Sequence, residues 1–509
     1  MCNRILTALL CLGAWPLMSH AQDYTDALRF NRNDLMGTAR SQAMAGAYGA
    51  VGADLSSMSI NPAGMAVYRA TEIGLSLGVN VIKDESEFYQ SNGSDDRVRV
   101  PFDQIGAAFS IGRMREEGGG LYSSNMFIGY NRLADFSSRQ VYYDPFSYNS
   151  LLDYFCFDEQ KLALMTGDLA YKAHLTNDTL GGAFTYNVWE QFVVDDVNPK
   201  FRQDQEGKGL VNMKKNVKED GSKGDISIGY AGNVANKLYF GGSVNIRTLS
   251  YENKTTHYES FEGYTVDPAS PTYFSYRTNL DQDGTGVCFN LGLIYRPVNF
   301  IRLGFALHSP TFYSINERYS AHIHNPARGL IVDADGEYEY KYRSPSRFIA
   351  SVAGIFGKSG LVSVDFERTN HSRSKFKQKD SDDDFSYSDP FESTNSLMRN
   401  EILKASNTLR IGGELSVLSP IYLRAGYRFT TPGVKSAYYV NKPKDYAISG
   451  GIGVRLNNFF ADLAYVCSVK KNDHWVLPDS SQEYFYEHNT PAYLTHRVHS
   501  GVVTVGFRF

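Results

Sequence analysis

Long apolar runs are missing from this chain. Beyond Leu17 no stretch is long enough to cross a bilayer as a helix, and the mean hydropathy of -0.34 is that of a soluble or barrel protein. Any membrane crossing must therefore be made of strands. Cysteine is scarce and oddly placed: Cys2 and Cys11 fall in the opening segment, while Cys156, Cys288 and Cys467 lie far apart. Such a set builds no disulfide framework beyond a single bridge and lacks the paired spacing of a zinc site. An excess of basic charge is missing too. With 51 Lys and Arg against 55 Asp and Glu, a net charge of -4 and a pI near 6.3, the chain has no electrostatic footprint for nucleic acid.

What the chain does hold is aromatic residues and glycine: 35 Tyr, 31 Phe and 45 Gly, with only 21% charged residues. Outer-membrane barrels need aromatic girdles, tight turns and alternating faces, which this composition suits. A large secreted β-sandwich or β-helix would share part of it. The first residues carry the three parts of a secretory signal: Arg4, an apolar run from Ile5 to Leu17, and Ser19-His20-Ala21 before Gln22. The expected signal peptide is 1-21, with the mature chain starting at Gln22. Leu9 and Leu10 before Cys11 are too bulky for a lipoprotein site.

The other end reads Gly501-Val502-Val503-Thr504-Val505-Gly506-Phe507-Arg508-Phe509. Val503, Val505, Phe507 and Phe509 form one apolar face, with Thr504, Gly506 and Arg508 on the other, as a strand between lipid and lumen requires. A strand ending on an aromatic residue resembles the C-terminal signal read by the barrel-assembly machinery, which makes Phe509 the expected recognition residue. The same period of two recurs in Ile421, Leu423, Ala425, Tyr427 and Phe429 opposite Arg424, Gly426 and Arg428, and again in Ile301 to Leu307, Leu409 to Leu415 and Ile452 to Leu456.

Short turn signals separate these runs at Gly118-Gly119-Gly120, Gly232-Asn233, Pro297-Val298-Asn299, Gly357-Lys358-Ser359-Gly360, Ser419-Pro420 and Asn457-Asn458. Longer polar connections, such as Asp267 to Asp283, Lys375 to Asn400 and Lys471 to Thr495, belong on the extracellular side. Counting from Thr71 onward predicts an all-β fold, a transmembrane antiparallel barrel of about fourteen strands over 71-509. Acidic stretches at Asp281-Gln282-Asp283-Gly284, Asp333-Ala334-Asp335-Gly336 and Asp380 to Asp384 lack the spaced ligands and closing glutamate of a calcium loop and read as hydrated loops. No metal, cofactor or catalytic group is expected. His308-Ser309 and Ser468 have no visible third partner for nucleophilic chemistry.

Between Gln22 and Ala70 the alternation stops. This stretch runs Gly37-Thr38-Ala39-Arg40-Ser41-Gln42-Ala43-Met44-Ala45-Gly46-Ala47-Tyr48-Gly49-Ala50, then reaches Asp54 and Asn61-Pro62-Ala63-Gly64-Met65-Ala66. A small-residue segment with a Met-x-Gly-Ala core, a later Asp and an Asn-Pro-Ala-Gly element before the first strand resembles the FadL-type outer-membrane channel superfamily, which includes carriers of long-chain fatty acids and aromatic hydrocarbons. The resemblance implies a hatch, here 22-70, inside the lumen of a fourteen-stranded barrel in the bacterial outer membrane. It also implies passive uptake of hydrophobic small molecules or lipids, leaving through a lateral opening in the wall, with Asn61, Pro62 and Ala63 as gating residues. Pro62 removes a backbone donor and Asn61 can bond the bend, although Asn-Pro is also a common turn opening a strand.

One insertion stands out, from about Asp144 to Lys223, well beyond ordinary connection lengths. It is rich in apolar side chains, among them Leu162, Met165, Leu169, Trp189 and Phe192. Such side chains pack on themselves, on the barrel mouth or on a ligand. They are expected to form a cap, and Leu162, Met165, Leu169, Trp189 and Phe192 are the candidates for extracellular ligand capture. A channel for hydrophobic molecules is the leading function. The alternative is a partner-binding barrel serving protein secretion or surface assembly, with the long loop as docking surface.

Overall fold

The computed structural model describes residues 23–89, 91–113, 121–147, 150–151, 211–261, 273–326, 329–379, 389–474, 476–477 and 491–509, with the short pairing 176–177 to 185–186. The barrel wall contains fourteen antiparallel strands, as expected. They are β1 (Glu72–Phe88), β2 (Ser91–Arg99 and Phe102–Arg113), β3 (Leu121–Asp135 and Ser138–Ser147), β4 (Val211–Val234), β5 (Leu238–Phe261), β6 (Tyr273–Val298) and β7 (Ile301–His308 and Phe312–Asn325). The second half adds β8 (Leu330–Arg343 and Arg347–Ile355), β9 (Gly360–Asn370 and Lys375–Gln378), β10 (Ala405–Leu418), β11 (Ile421–Thr430), β12 (Lys444–Arg455), β13 (Phe459–His474) and β14 (Ala492–Arg508). Neighbours in sequence are neighbours in the wall. The ladder closes where β1 meets β14, from Glu72 opposite Arg508 to Glu87 opposite Tyr493.

Alternation decides which face is which. The apolar sets read from the sequence all point outward: Leu423, Tyr427 and Phe429 on β11, Phe305 and Leu307 on β7, and Val503, Val505 and Phe507 on β14 are exposed. Their partners Arg424, Arg428 and Thr504 are buried toward the lumen. An outward apolar band of this kind is what a bilayer-spanning barrel presents to lipid. Of the helices described, none is long and apolar enough to cross a membrane.

The wall is much taller on one side. β4, β5 and β6 run for 24, 24 and 26 residues, whereas a tilted strand crosses the hydrocarbon in roughly 9–11. β11 has only 10 residues, so the rim drops between β10 and β12. The excess length rises from the end opposite the short turns, which is the extracellular end.

This extension accounts for several departures from the sequence reading. The insertion placed at 144–223 is shorter, because β3 continues to Ser147 and β4 already begins at Val211. Asp281 to Gly284 and Asp333 to Gly336 lie inside β6 and β8 rather than in loops. Pro310 and Pro345 lie in the breaks between the two parts of β7 and of β8, a position where a missing ladder donor is tolerated. The turn expected at Gly232-Asn233 comes slightly later, with Ala235 and Asn236 carrying positive φ. On the extracellular side the ladder runs on beyond the lipid because hydrogen bonds between strands do not depend on an apolar face. Cys288 and Cys467 are free thiols, so no disulfide joins them.

Candidate functional site

Residues 23–68 are seated against the inward side chains of the wall. The segment opens with helix α1 (Tyr24–Asn31), started by a capping box in which the Asp23 carboxylate accepts from the Thr25 and Asp26 amides while Asp26 accepts from the Asp23 amide. Its Ala27 and Phe30 face enters an aromatic cluster with Tyr313, Tyr340, Tyr342, Phe376 and Phe391, and the Phe30 and Tyr342 rings meet edge to face at 5.1 Å. The helix ends on a buried lysine: Lys223 on β4 donates to the carbonyls of Phe30, at 3.0 Å, and Arg32. A cation at a helix C-terminus satisfies the last carbonyls and the dipole together.

Lower down, helix α2 (Ala39–Ala43) is capped by Thr38, whose hydroxyl accepts from the Ser41 amide and donates to Asp54 at 2.7 Å. The Asp of the small-residue motif thus ties two turns of the segment together. A short helix α3 (Ser57–Ile60) leads into a 3-10 turn, Pro62–Val67.

Asn61, Pro62 and Ala63 come together at this junction and are fully buried. The Asn61 carboxamide donates to the Gly49 carbonyl at 2.6 Å and to Leu293 of β6 at 3.4 Å, while its oxygen caps the 3-10 turn by accepting from the Ala63 amide at 3.1 Å. Two wall glycines make room for it. A Cβ on Gly292 would stand 2.0 Å from the Asn61 oxygen, and one on Gly241 would stand 2.4 Å from the Pro62 carbonyl. Next to them, His308 of β7 bonds the Ile60 carbonyl at 3.0 Å and accepts from Arg347 at 2.8 Å, and Arg347 also reaches the Ser59 carbonyl. His308 is therefore committed to the segment rather than to Ser309, whose hydroxyl accepts from the Phe289 amide.

The lumen charges are paired with one another and with the segment. Arg410 meets Glu367 at 2.8 Å, Arg424 meets Glu414 at 2.6 Å and Asp462 at 2.7 Å, Arg455 meets Asp462 at 3.2 Å, and Arg508 meets Glu72 at 2.5 Å. Arg302 donates to the Val51 carbonyl and Asp365 accepts from the Gly49 amide. Pairing is what a poorly hydrated interior demands, since an isolated charge there costs several kcal/mol. Arg40 joins the same chain by gripping Glu414.

Asp34 forms a second knot. It accepts from Arg32 at 2.9 Å, from Lys470 of β13 at 2.5 Å and from the Asp135 amide at 3.1 Å. Burial alone would raise its pKa, but the two cations outweigh burial and hold the carboxyl far below the usual range. This knot separates two cavities. One, of about 410 Å³, opens at the low rim between α1 and β9–β13, and the other, of about 40 Å³, lies beneath against Asn80, Asp135, Ser137 and His496. Arg32, Arg428 and Lys470 line both. The sequence reading passed over Asp34, because an aspartate among Asn33 and Leu35 carries no motif.

The wall beside the lower cavity has a seam. β2 and β3 pair from Gln104 opposite Asn131 to Arg113 opposite Ser123. Above this the two strands form no ladder among the described residues and are bridged by side chains instead, with Arg99 reaching Asp135 at 3.1 Å and Ser137, and Arg132 reaching the Phe102 carbonyl at 3.0 Å. Leu162, Met165, Leu169, Trp189 and Phe192 lie outside the described residues.

The sequence matches no protein-family model and no curated protein sequence. Solved structures with the same fold are a FadL homologue of Pseudomonas aeruginosa (14% identity, TM-score 0.53), the toluene transporter TodX of Pseudomonas putida (13%, 0.52) and the monoaromatic hydrocarbon channel CymD (13%, 0.50). Each alignment covers 94% of this chain and 99% of the other. The fold is that of FadL-type channels, and a barrel with this fold and this outward belt belongs in the bacterial outer membrane.

Proposed function

We propose that the protein is a channel for passive uptake of hydrophobic small molecules, long-chain fatty acids or compounds of similar character, with residues 22–70 as its hatch. The observation that carries this reading is the seating of the segment in the lumen between two cavities that share Arg32, Arg428 and Lys470. Similarity in fold to channels described as hydrocarbon or toluene transporters supports it. In this reading the Asp34 knot and the Asn61 junction hold the closed form. The seam between β2 and β3 is the lateral exit, since a wall bridged by side chains opens at lower cost than one joined by ladder bonds. No step requires a catalytic group.

Uptake of a fluorescent fatty acid and of a small hydrophilic sugar by cells tests it. Deleting Asn61-Pro62-Ala63 is expected to change passage of the fatty acid while the barrel still assembles, because the wall ladder does not run through the segment. Deleting Leu151 to Phe192, the candidate capture loop, is expected to weaken capture from dilute solution and spare passage at high concentration. If both deletions leave both probes unaffected, transport fails as the function and a partner-binding barrel for secretion or surface assembly becomes the better reading.

A further inference from the structure

The outward face carries a charge pattern that passage through the lumen does not explain. On β1, β14, β13 and β12 one outward rung is Val81, His499, Cys467 and Ile448, largely apolar and within the lipid belt. The next rung up begins with Lys83 directly opposite Arg497, and the one above it ends with Lys471 directly opposite Lys444. Because barrel strands are tilted, a membrane plane cuts diagonally across the rungs, so these four cations share the upper edge of the belt.

Two pairs of like charges set face to face on a ladder are unfavourable by themselves. Carboxylates on this patch are few. Glu85 stands 3.0 Å from Lys83 and 4.0 Å from Arg497. Asp473, one step higher, is occupied by the Val440 and Asn441 amides and the Asn441 carboxamide. Lys471 rests over the Tyr493 ring. Glu87, on the rung above Glu85 and opposite Tyr493, is the third carboxylate, so four cations face three carboxylates and the two like-charge pairs keep a small excess of positive charge at the upper edge of the belt. The two pairs are separated by two strand spacings and one rung, about 12 Å.

We propose that Lys83, Arg497, Lys471 and Lys444 form a binding site for a phosphorylated glycolipid of the outer leaflet, with one phosphate at each cation pair and the acyl chains along the apolar rung below. The site relieves the like-charge pairing and anchors the low side of the rim in the membrane. Lys83 and Arg497 line neither lumen cavity, whereas Lys444 and Lys471 also line the one of about 410 Å³.

The purified full-length barrel in zwitterionic detergent, titrated with bis-phosphorylated lipid A, with its dephosphorylated form and with inorganic phosphate, tests this. A cation near an anionic lipid surface contributes about 1 kcal/mol, so K83Q/R497Q and K444Q/K471Q are each expected to weaken lipid A binding about 25-fold. Lys237→Gln with Lys358→Gln, at the opposite rim, is expected to bind as the parent does. Heat-modifiable migration of each variant checks that the barrel is intact. The proposal is overturned if the dephosphorylated lipid binds equally well, if both double variants bind like the parent, or if inorganic phosphate competes as strongly as the lipid, which would make this a general phosphate site.

Discussion

Arg40 grips Glu414 through both carboxylate oxygens, each at 2.8 Å. The two residues stand 374 positions apart, so this fork joins the N-terminal segment to the middle of β10. Glu414 is shared with Arg424, whose side chain is fully buried and reaches on to Asp462. The hold of the wall on the segment is thus built into the same charge chain that satisfies the lumen.

Replacing Arg40 by Gln is expected to loosen the segment without unfolding the wall. Breaking a buried pair usually costs about 3–5 kcal/mol, but Glu414 keeps Arg424, so a loss of about 2 kcal/mol in docking is expected. Amide hydrogen exchange over 23–68 should accelerate while the strand amides keep their protection. Unchanged exchange in the segment would show that the fork does not hold it.

Gly292→Ala places a methyl 2.0 Å from the Asn61 oxygen, and neither the wall backbone nor the capped 3-10 turn can retreat far. Overpacking of this kind costs about 1–3 kcal/mol. The expected outcome is displacement of Asn61-Pro62-Ala63 and increased leak of a small hydrophilic sugar, with normal heat-modifiable migration. A variant as tight to sugar as the parent would argue against a sealing role for this junction.

Acid is expected to loosen α1 from β9. The His371 ring accepts from Asn31 at 3.3 Å and bonds Ser406 at 2.9 Å, and burial lowers its pKa from 6.5 to about 4. Between those values the docked form binds fewer protons than the undocked one. The His371 contribution to docking is therefore fully present above pH 6.5, and falls by at most about 3 kcal/mol as pH drops toward 4. Asp26 in α1, whose pKa burial raises to about 7, acts in the opposite sense over the same range, so protease cleavage within 23–68 should rise more on acidification in the parent than in His371→Gln.

Deleting Phe509 is expected to lower the membrane yield of folded protein. Phe509 is exposed beyond the last outward residues of β14, and only its amide bonds the wall, at Thr71. Its loss removes little packing from the folded barrel. A reduced yield with unchanged unfolding of the protein that does insert would place the role of Phe509 in assembly, whereas an unchanged yield would remove it from that role.

Outward apolar residues on β7, β10, β11, β12 and β14 were legible in the sequence because alternation is a local signal, set by neighbouring residues pointing to opposite faces. The count of fourteen followed from the same signal with its turns, and the break in alternation before Ala70 separated the segment from the wall. The height of the wall was not legible. The upper half of β2, Ser91–Arg99, is polar on both faces, so above the lipid a strand and a hydrated loop look alike until the ladder forms. Which charge meets which inside was not legible either. The sequence shows Asp34, Arg40 and Lys470 as isolated letters, and only closure of the barrel brings Lys470 to Asp34 across 436 positions. Faces are decided by residues two apart along one strand, whereas partners across the lumen are decided by the register of all the strands at once.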